Sequence, residues 1–318
     1  MKIRLGYVAL TKSLSDVTTS SVLTFTNYEK LGKNVRNKKL EQVIISNFED
    51  LEKIITYNIK NNIHFYRLTS KLIPLATHEK VDFEYLEKFK PYYQNIGDLV
   101  NKNNMRVDTH PDQYCVLNST NPNVIKSSIS ILNFQKNMLE AFNFKEPKII
   151  VHIGSSQFGK EKSITRFINN FNLLDENIKK MLLVENDDKI YNIVDTLELC
   201  KKIKVPFVLD YHHFMCNNNG EKIVDYIGEI FNTWNEEKLV PKIHFSSPKN
   251  KTKKDFRSHH DYINSDDFID FIEKVKFVNR DFDIMIEAKM KDEALFRLVR
   301  ELKYKTNYKF IDETTFEV

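Results

Sequence analysis

Imidazole and carboxylate side chains recur along this chain where runs of β-branched and aromatic residues give out. In order they are His110, His152, Glu185, Asp210 with His212 and His213, His244 and Glu287, with His259 and His260 between the last two. These are the ligand types of zinc, manganese and iron, and the series offers more donors than one ion needs, so it points to a polynuclear metal centre. Residues two apart in a strand share a face, so Lys242 and His244 point one way while Ile243 and Phe245 point the other. By the same rule Asp210 and His212 are expected on one face, with His213 just past the strand end. Glu185 closes Leu182-Leu183-Val184 and Glu287 closes Ile284-Met285-Ile286. A carboxylate desolvated alone in such a place is costly, and bridging between cations removes the penalty. Glu185 is read as that bridge; a salt-bridged pair of acids is the alternative.

Donors this far apart meet only if the fold gathers them. Eight runs read as strands: 4–10, 64–69, 105–110, 148–154, 182–186, 207–213, 241–246 and 283–289. Between them, apolar residues at three- and four-residue spacing predict helices over 41–61, 82–103, 121–142, 160–180, 190–203, 221–234, 265–278 and 292–303. Such alternation predicts a parallel sheet with right-handed crossovers, and eight units predict one (β/α)₈ TIM barrel over residues 1–318 with its site at the C-terminal strand ends. The Ser-, Thr-, Asn- and Lys-rich stretch 11–40 is long for a strand-to-helix connection and is either a loop that helps build the site or an excursion. The role of residues after Lys305 is left open.

Composition narrows the class. With 41% hydrophobic and 29% charged residues and no long apolar run, the chain has enough material for a large core and no sign of a membrane span. The N-terminus enters a strand-like segment without a signal-peptide pattern, so an intracellular, cytoplasmic protein is expected. Three widely spaced cysteines, Cys115, Cys200 and Cys216, support neither a disulfide framework nor a CxxC zinc site. The net charge of +4 permits a nucleic-acid partner without requiring one. The one local basic cluster, Lys249, Lys251, Lys253 and Lys254, follows His244.

Taken together, the segments Gly6-Tyr7, Phe65-Tyr66-Arg67-Leu68-Thr69-Ser70, Ala76-Thr77-His78, His110-Pro111-Asp112-Gln113-Tyr114, Val151-His152-Ile153-Gly154 and Glu185-Asn186-Asp187-Asp188 carry a resemblance. They continue as Asp210-Tyr211-His212-His213, Lys242-Ile243-His244-Phe245-Ser246, His259-His260-Asp261-Tyr262-Ile263 and Met285-Ile286-Glu287-Ala288-Lys289. The series resembles, in order from the first strand to the last, the UV damage endonuclease family. The resemblance implies a TIM barrel related to the apurinic endonucleases, with two or three divalent ions per chain, Mn²⁺ first and Mg²⁺, Co²⁺ or Zn²⁺ as alternatives. His110, His152 and Glu185 would hold the first ion, and Glu185, Asp210, His244 and Glu287 the second. His213 and His259 would serve a third, with His78 nearby and His260 the alternative to His259. Lys242, with Glu185, is assigned a catalytic part; beside cations its ammonium would be repelled, and the family implies a carboxylated lysine there.

Clustered metals generate a nucleophile from water at neutral pH and stabilise both oxygens of a phosphodiester displacement, so hydrolysis by activated hydroxide is expected. The resemblance implies damaged double-stranded DNA as the partner, a nick immediately 5′ to the lesion, and no nucleotide cofactor; a monomer is the default. Gln113 and Tyr114 would wedge into the helix at the lesion, Tyr7 would line the groove, and Lys71, Lys249, Lys251, Lys253 and Lys254 would contact phosphates. Rival readings are an apurinic-site endonuclease, a metal-dependent sugar isomerase, and a damage-binding module without catalysis.

Overall fold

The alternating periods fold into a closed barrel in the computed structural model, which describes residues 1–111, 113–252 and 254–318. Its strands are β1 (Lys2–Val8), β2 (Phe65–Arg67), β3 (Arg106–Thr109), β4 (Lys148–His152), β5 (Leu182–Glu185), β6 (Phe207–Asp210), β7 (Lys242–Phe245) and β8 (Phe282–Ile286). Each pairs in parallel with the next, and β1 pairs with both β8 and β2, so the sheet closes on itself. After β1 come α1 (Phe25–Lys30) and α2 (Lys33–Lys60), after β2 come α3 (Tyr85–Lys88) and α4 (Lys90–Lys102), and α5 (Pro122–Phe142) follows β3. The circuit continues with α6 (Lys160–Asn172) and α7 (Glu176–Met181), α8 (Ile193–Ile203), α9 (Tyr211–Cys216) and α10 (Ile223–Asn232), α11 (Ser265–Val275) and α12 (Lys291–Lys305).

Strand alternation sorts each residue to the helices or to the barrel axis. On β1, Ile3, Leu5 and Tyr7 join the core beneath the helices, whereas the Arg4 guanidinium meets Asp283 of β8. Inside the barrel, Ile150, Leu183, Val208 and Trp234 form one apolar cluster and Val8, Phe65 and Met285 another. Between them runs a buried ionic chain. Asp283 accepts from Arg4 Nε at 2.6 Å and from Arg106 at 2.9 Å, Arg106 lies 3.4 Å from Asp108, and Asp108 accepts from Lys242 Nζ at 3.0 Å.

Gly6 lies at the seam where β1 meets β2. A Cβ there would stand 2.3 Å from the Phe65 carbonyl oxygen, in backbone that cannot yield without opening the seam. Gly6→Ala is therefore expected to destabilise the fold by about 1–3 kcal/mol, the usual cost of overpacking. A urea titration reads this directly, and an unchanged midpoint would mean that the seam is slack.

Several boundaries differ from the sequence reading. The helix expected over 82–103 is two, α3 and α4, and the strands expected over 4–10, 64–69, 148–154 and 283–289 end two or three residues earlier. Three further differences have a local reason. α2 begins at Lys33 rather than residue 41, because its first turns are Lys- and Asn-rich and carry no apolar period. The helix expected over 160–180 is two, since Asp175 caps a second helix with its side chain on the Asn177 amide. The strand expected over 207–213 stops at Asp210, and residues 211–216 are helical. The tail is structural: β9 (Lys309–Phe310) and β10 (Thr315–Glu317) form an antiparallel pair, and β10 pairs with Lys2–Arg4 of β1, below the point where β2 joins. Phe316 is fully buried there, stacked on Tyr308.

Candidate metal centre

The last inward-facing residue of each strand from β3 to β8 is a metal-ligand type: His110, one residue beyond β3, then His152, Glu185, Asp210, His244, and Glu287, one residue beyond β8. They form one layer at the mouth of the barrel. Glu185 lies at its centre, with Oε2 at 3.1 Å from His110 Nε2 and 3.8 Å from His152 Nε2, and Oε1 at 3.0 Å from His244 Nδ1. His244 Nδ1 also lies 3.3 Å from Glu287 Oε1.

His213 reaches this layer by a route that strand periodicity does not provide. Asp210 is the N-cap of α9 and accepts the His213 amide at 2.7 Å, so one helical turn carries the His213 ring back over the mouth. Its Nδ1 donates to the Asn186 carbonyl at 2.9 Å and lies 3.6 Å from both Asp210 Oδ2 and Glu185 Oε1. Asn186 fixes Asp210 in turn, exchanging two hydrogen bonds with its backbone. His212, expected to share a face with Asp210, is turned away by the same helix and packs on Phe256 and His259.

Three donor groups result, each with ligand atoms within 4.8 Å of one another: His110, His152 and Glu185; Glu185, Asp210 and His213; Asp210, His244 and Glu287. Glu185 and Asp210 each belong to two. The residues fit divalent cations on a further count, because Asp210 Oδ2, His244 Nε2 and His152 Nδ1 are buried with no hydrogen-bond partner among the described residues. Orphaned lone pairs in such a place are costly unless something electropositive takes them. The electrostatics agree. Burial drives the His110 imidazole down to about 4, keeping it neutral and able to donate a lone pair. Burial likewise pushes the Asp210 carboxyl up to about 7, where His213 opposes and Glu185 and Glu287 add to the shift. Burial disfavours the charged form of His213, but Asp210 and Glu185 outweigh it and raise the ring to about 9. Acids crowded together with a borrowed proton are what a cation relieves.

The other residues singled out from the sequence are distributed unevenly. His259 is half-buried, with the charges of Glu287 and His213 acting on it, whereas His260 is exposed and accepts the Tyr262 amide through Nδ1. His78 is not drawn into the layer: it stacks on Phe25 at 3.9 Å, and its Nδ1 accepts the Lys80 amide. Tyr7 does not line a groove. It is fully buried, and its hydroxyl donates to Asn58 of α2, because its strand parity turns it outward. Lys242 lies one layer beneath His244, fully buried and paired with Asp108; burial lowers its ammonium to about 8, Arg106 and Arg67 adding and Asp108 opposing.

Gln113 and Tyr114 are exposed on the loop after β3, Tyr114 by 71%. With Lys71, also exposed, they border a cavity of about 500 Å³ that reaches His110. Lys249, Lys251 and Lys254 are exposed on the loop after β7, which a bridge between Pro248 and His259 closes; Lys253 lies outside the described residues. Sequence reasoning gave no role to two cations of this mouth. Arg67, the last residue of β2, binds Glu287, and Lys291, at the start of α12, is half-buried within the field of Glu287. Arg67 has the strand-end position and parity of the donors, a signal available in the sequence had cations been counted with ligands.

A model of the family described as UV-endonuclease UvdE matches residues 3–316. Two curated relatives are named UV DNA damage endonuclease. The one from Bacillus cereus (strain 03BB102) is 39% identical over 318 residues, covering 100% of both chains, and the one from Bacillus cereus (strain B4264) is 40% identical over 303 residues, 95% of each. The solved structure of SacUVDE superposes with a TM-score of 0.85 at 34% identity, covering 95% of this chain and 98% of that one. Endonuclease IV from Thermus thermophilus is similar in fold alone, with a TM-score of 0.57 at 13% identity over 95% of this chain and 100% of that one.

Proposed function

We propose, from the premise that this chain belongs to the UvdE family of UV endonucleases and is thus a DNA-damage endonuclease, that it nicks damaged duplex DNA immediately 5′ to UV photoproducts. Cyclobutane pyrimidine dimers and 6-4 photoproducts are the substrates in this reading, and the cut leaves a 3′-hydroxyl. The observation that carries it is the carboxylate layer centred on Glu185, which joins two donor groups beneath a rim bearing Tyr114 and lysines.

The three groups would hold two or three divalent cations, Mn²⁺ foremost, with Mg²⁺, Co²⁺ or Zn²⁺ as alternatives. Such cations supply Lewis acidity toward water and phosphoryl oxygens at neutral pH. The chain's own part is to position. Glu185 and Asp210 lock neighbouring donor groups together, Asn186 holds the ring of His213 and the backbone of Asp210, and the Pro111 carbonyl fixes His110 through Nδ1 at 3.0 Å. His259 serves the same mouth. Lys242, neutral for part of the time near its shifted value, takes up carbon dioxide with loss of a proton and becomes an anionic oxygen donor. Arg106 Nη2, buried with no hydrogen-bond partner among the described residues, supports that step with its charge.

Tyr114 and Gln113 read the lesion. An exposed phenol on the loop between β3 and α5 stacks in the place of an unstacked base pair, and the amide bonds to base edges, both at lower cost where damage has already weakened stacking. Lys71, Lys249, Lys251, Lys253 and Lys254 meet backbone phosphates. The protein works as a cytoplasmic monomer with one domain over residues 1–318; no helix among the described residues is long and apolar enough to cross a membrane.

Incubation with UV-irradiated, abasic and intact duplexes, with the nick mapped to the nucleotide, tests this reading. Cutting 5′ to dimers is the expected result; cutting of abasic sites only would redirect it. Tyr114→Ala is expected to lower the preference for damaged over intact duplex by about tenfold, the ~1–3 kcal/mol of one stacking contact, with metal content unchanged. A variant that discriminates as well as the parent would remove the wedge.

A further inference from the structure

Arg67 occupies the place in the mouth layer where β2 would present a donor. Its guanidinium binds Glu287 Oε1, the carboxylate oxygen that also lies 3.3 Å from His244 Nδ1. Its side chain keeps 16% of its exposure and faces the cavity of about 500 Å³ bordered by Thr69, Lys71, His110, Gln113 and Tyr114. The ammonium of Lys291, half-buried at the start of α12 and within the field of both Glu287 and Arg67, makes no ion pair among the described residues. A fixed cation next to sites built for divalent cations is repelled once they fill, unless an anion arrives with the substrate. Glu287 supplies that anion while its oxygens are free and withdraws part of it when they turn to a cation. The fork of an arginine then matches the non-bridging oxygens of a phosphodiester.

We propose that Arg67, seconded by Lys291, is a substrate-binding catalytic residue that grips the phosphodiester entering the donor layer, and that Glu287 holds it in reserve until then. The assignment rests on the endonuclease reading. A strand guided by Tyr114 and Lys71 along the cavity passes over Arg67 before it meets Glu185. The step forms hydrogen bonds and an ion pair only, with no covalent change at Arg67.

Full-length protein and its Arg67→Gln, Arg67→Lys and Lys291→Gln variants decide the matter, with three readings on each: bound Mn²⁺ by elemental assay, the salt dependence of affinity for a labelled UV-irradiated duplex, and the single-turnover cutting rate. Arg67→Gln is expected to keep its Mn²⁺, to lose about one from the slope of log affinity against log salt, and to cut about 100-fold more slowly. Arg67→Lys restores the slope but not the rate, since the charge returns without the fork. Lys291→Gln loses slope and little rate. Loss of Mn²⁺ with an unchanged slope in Arg67→Gln would make Arg67 a positioning residue for Glu287 and overturn the proposal; so would a full cutting rate in Arg67→Lys, which remains decisive if the glutamine variant fails to fold. A parent protein that cuts no damaged duplex would count against the endonuclease reading, while the binding slopes would still judge Arg67.

Discussion

Glu185→Ala is expected to cut UV-irradiated duplex at least about 10⁴-fold more slowly than the parent, a loss of ~5.5 kcal/mol in transition-state stabilisation. The reason is topological. Glu185 belongs to two donor groups at once, so its removal leaves His110 and His152 as a bare pair and separates Asp210 and His213 from their shared oxygen. No other carboxylate lies close enough to His110 Nε2 to appear among its partners in the described residues. DNA affinity should change by less than about tenfold, because in the proposed reading phosphate and base contacts come from the loop residues and supply most of the binding. Stopped-flow or gel cutting assays, with Mn²⁺ content measured on the same sample, check the expectation. A Glu185→Ala protein that cuts at the parental rate would remove the donor layer from the mechanism.

Asp283→Ala is expected to cost about 3–5 kcal/mol of fold stability, although Asp283 lies at the opposite end of the barrel from the mouth. Its carboxylate is fully buried and neutralises two guanidiniums, accepting from Arg4 at 2.6 and 2.8 Å and from Arg106 at 2.9 Å. Without it, in protein whose Lys242 is unmodified, Arg106 shares the single remaining carboxylate of this chain, Asp108, with the Lys242 ammonium, so two of its buried cations face one anion. Arg4 is partly exposed and can turn to water; Arg106 cannot. A guanidinium left buried without its partner is among the few single changes that exceed the ordinary range of mutational effects. Urea or thermal unfolding measures the loss, and a midpoint within experimental error of the parent would show that the interior ion chain contributes nothing. Because β8 carries Asp283 near its start and leads to Glu287 at the mouth, the variant should keep its donor layer wherever it remains folded.

What could be read from the sequence follows from how each residue is positioned. His152, Glu185, His244 and Glu287 sit on, or one residue beyond, strands of strict alternation, so apolar runs ending in an inward polar residue are enough to find them. The TIM barrel follows from the same runs, together with the amphipathic stretches between them. His212 and His213 are different. A strand period puts His212 with Asp210, but Asp210 caps a helix, and the three-residue return of that helix selects His213 instead. An Asp before an aromatic and histidine run is a capping signal, one that an extended reading of 207–213 overrides. Tyr7 fails as a groove residue by parity: the residue two before it, Leu5, packs under the helices, and so does Tyr7. His78 is placed by a stacking contact with Phe25 from a helix in the 11–40 stretch, and no local pattern announces such a partner. The ionic chain through Arg4, Asp283, Arg106, Asp108 and Lys242 joins four strands far apart in sequence, and only closure of the barrel brings them within bonding distance.

The most direct measurement follows cutting and metal together on one preparation: protein carried through a chelator, assayed for bound ions and for nicks in a UV-irradiated duplex, then resupplied with Mn²⁺. Metal content and nicking 5′ to the lesion should fall together and return together, with DNA binding retained throughout. A preparation free of ions that still cuts at the damaged position would contradict a mechanism in which Glu185 and its neighbours act by holding cations.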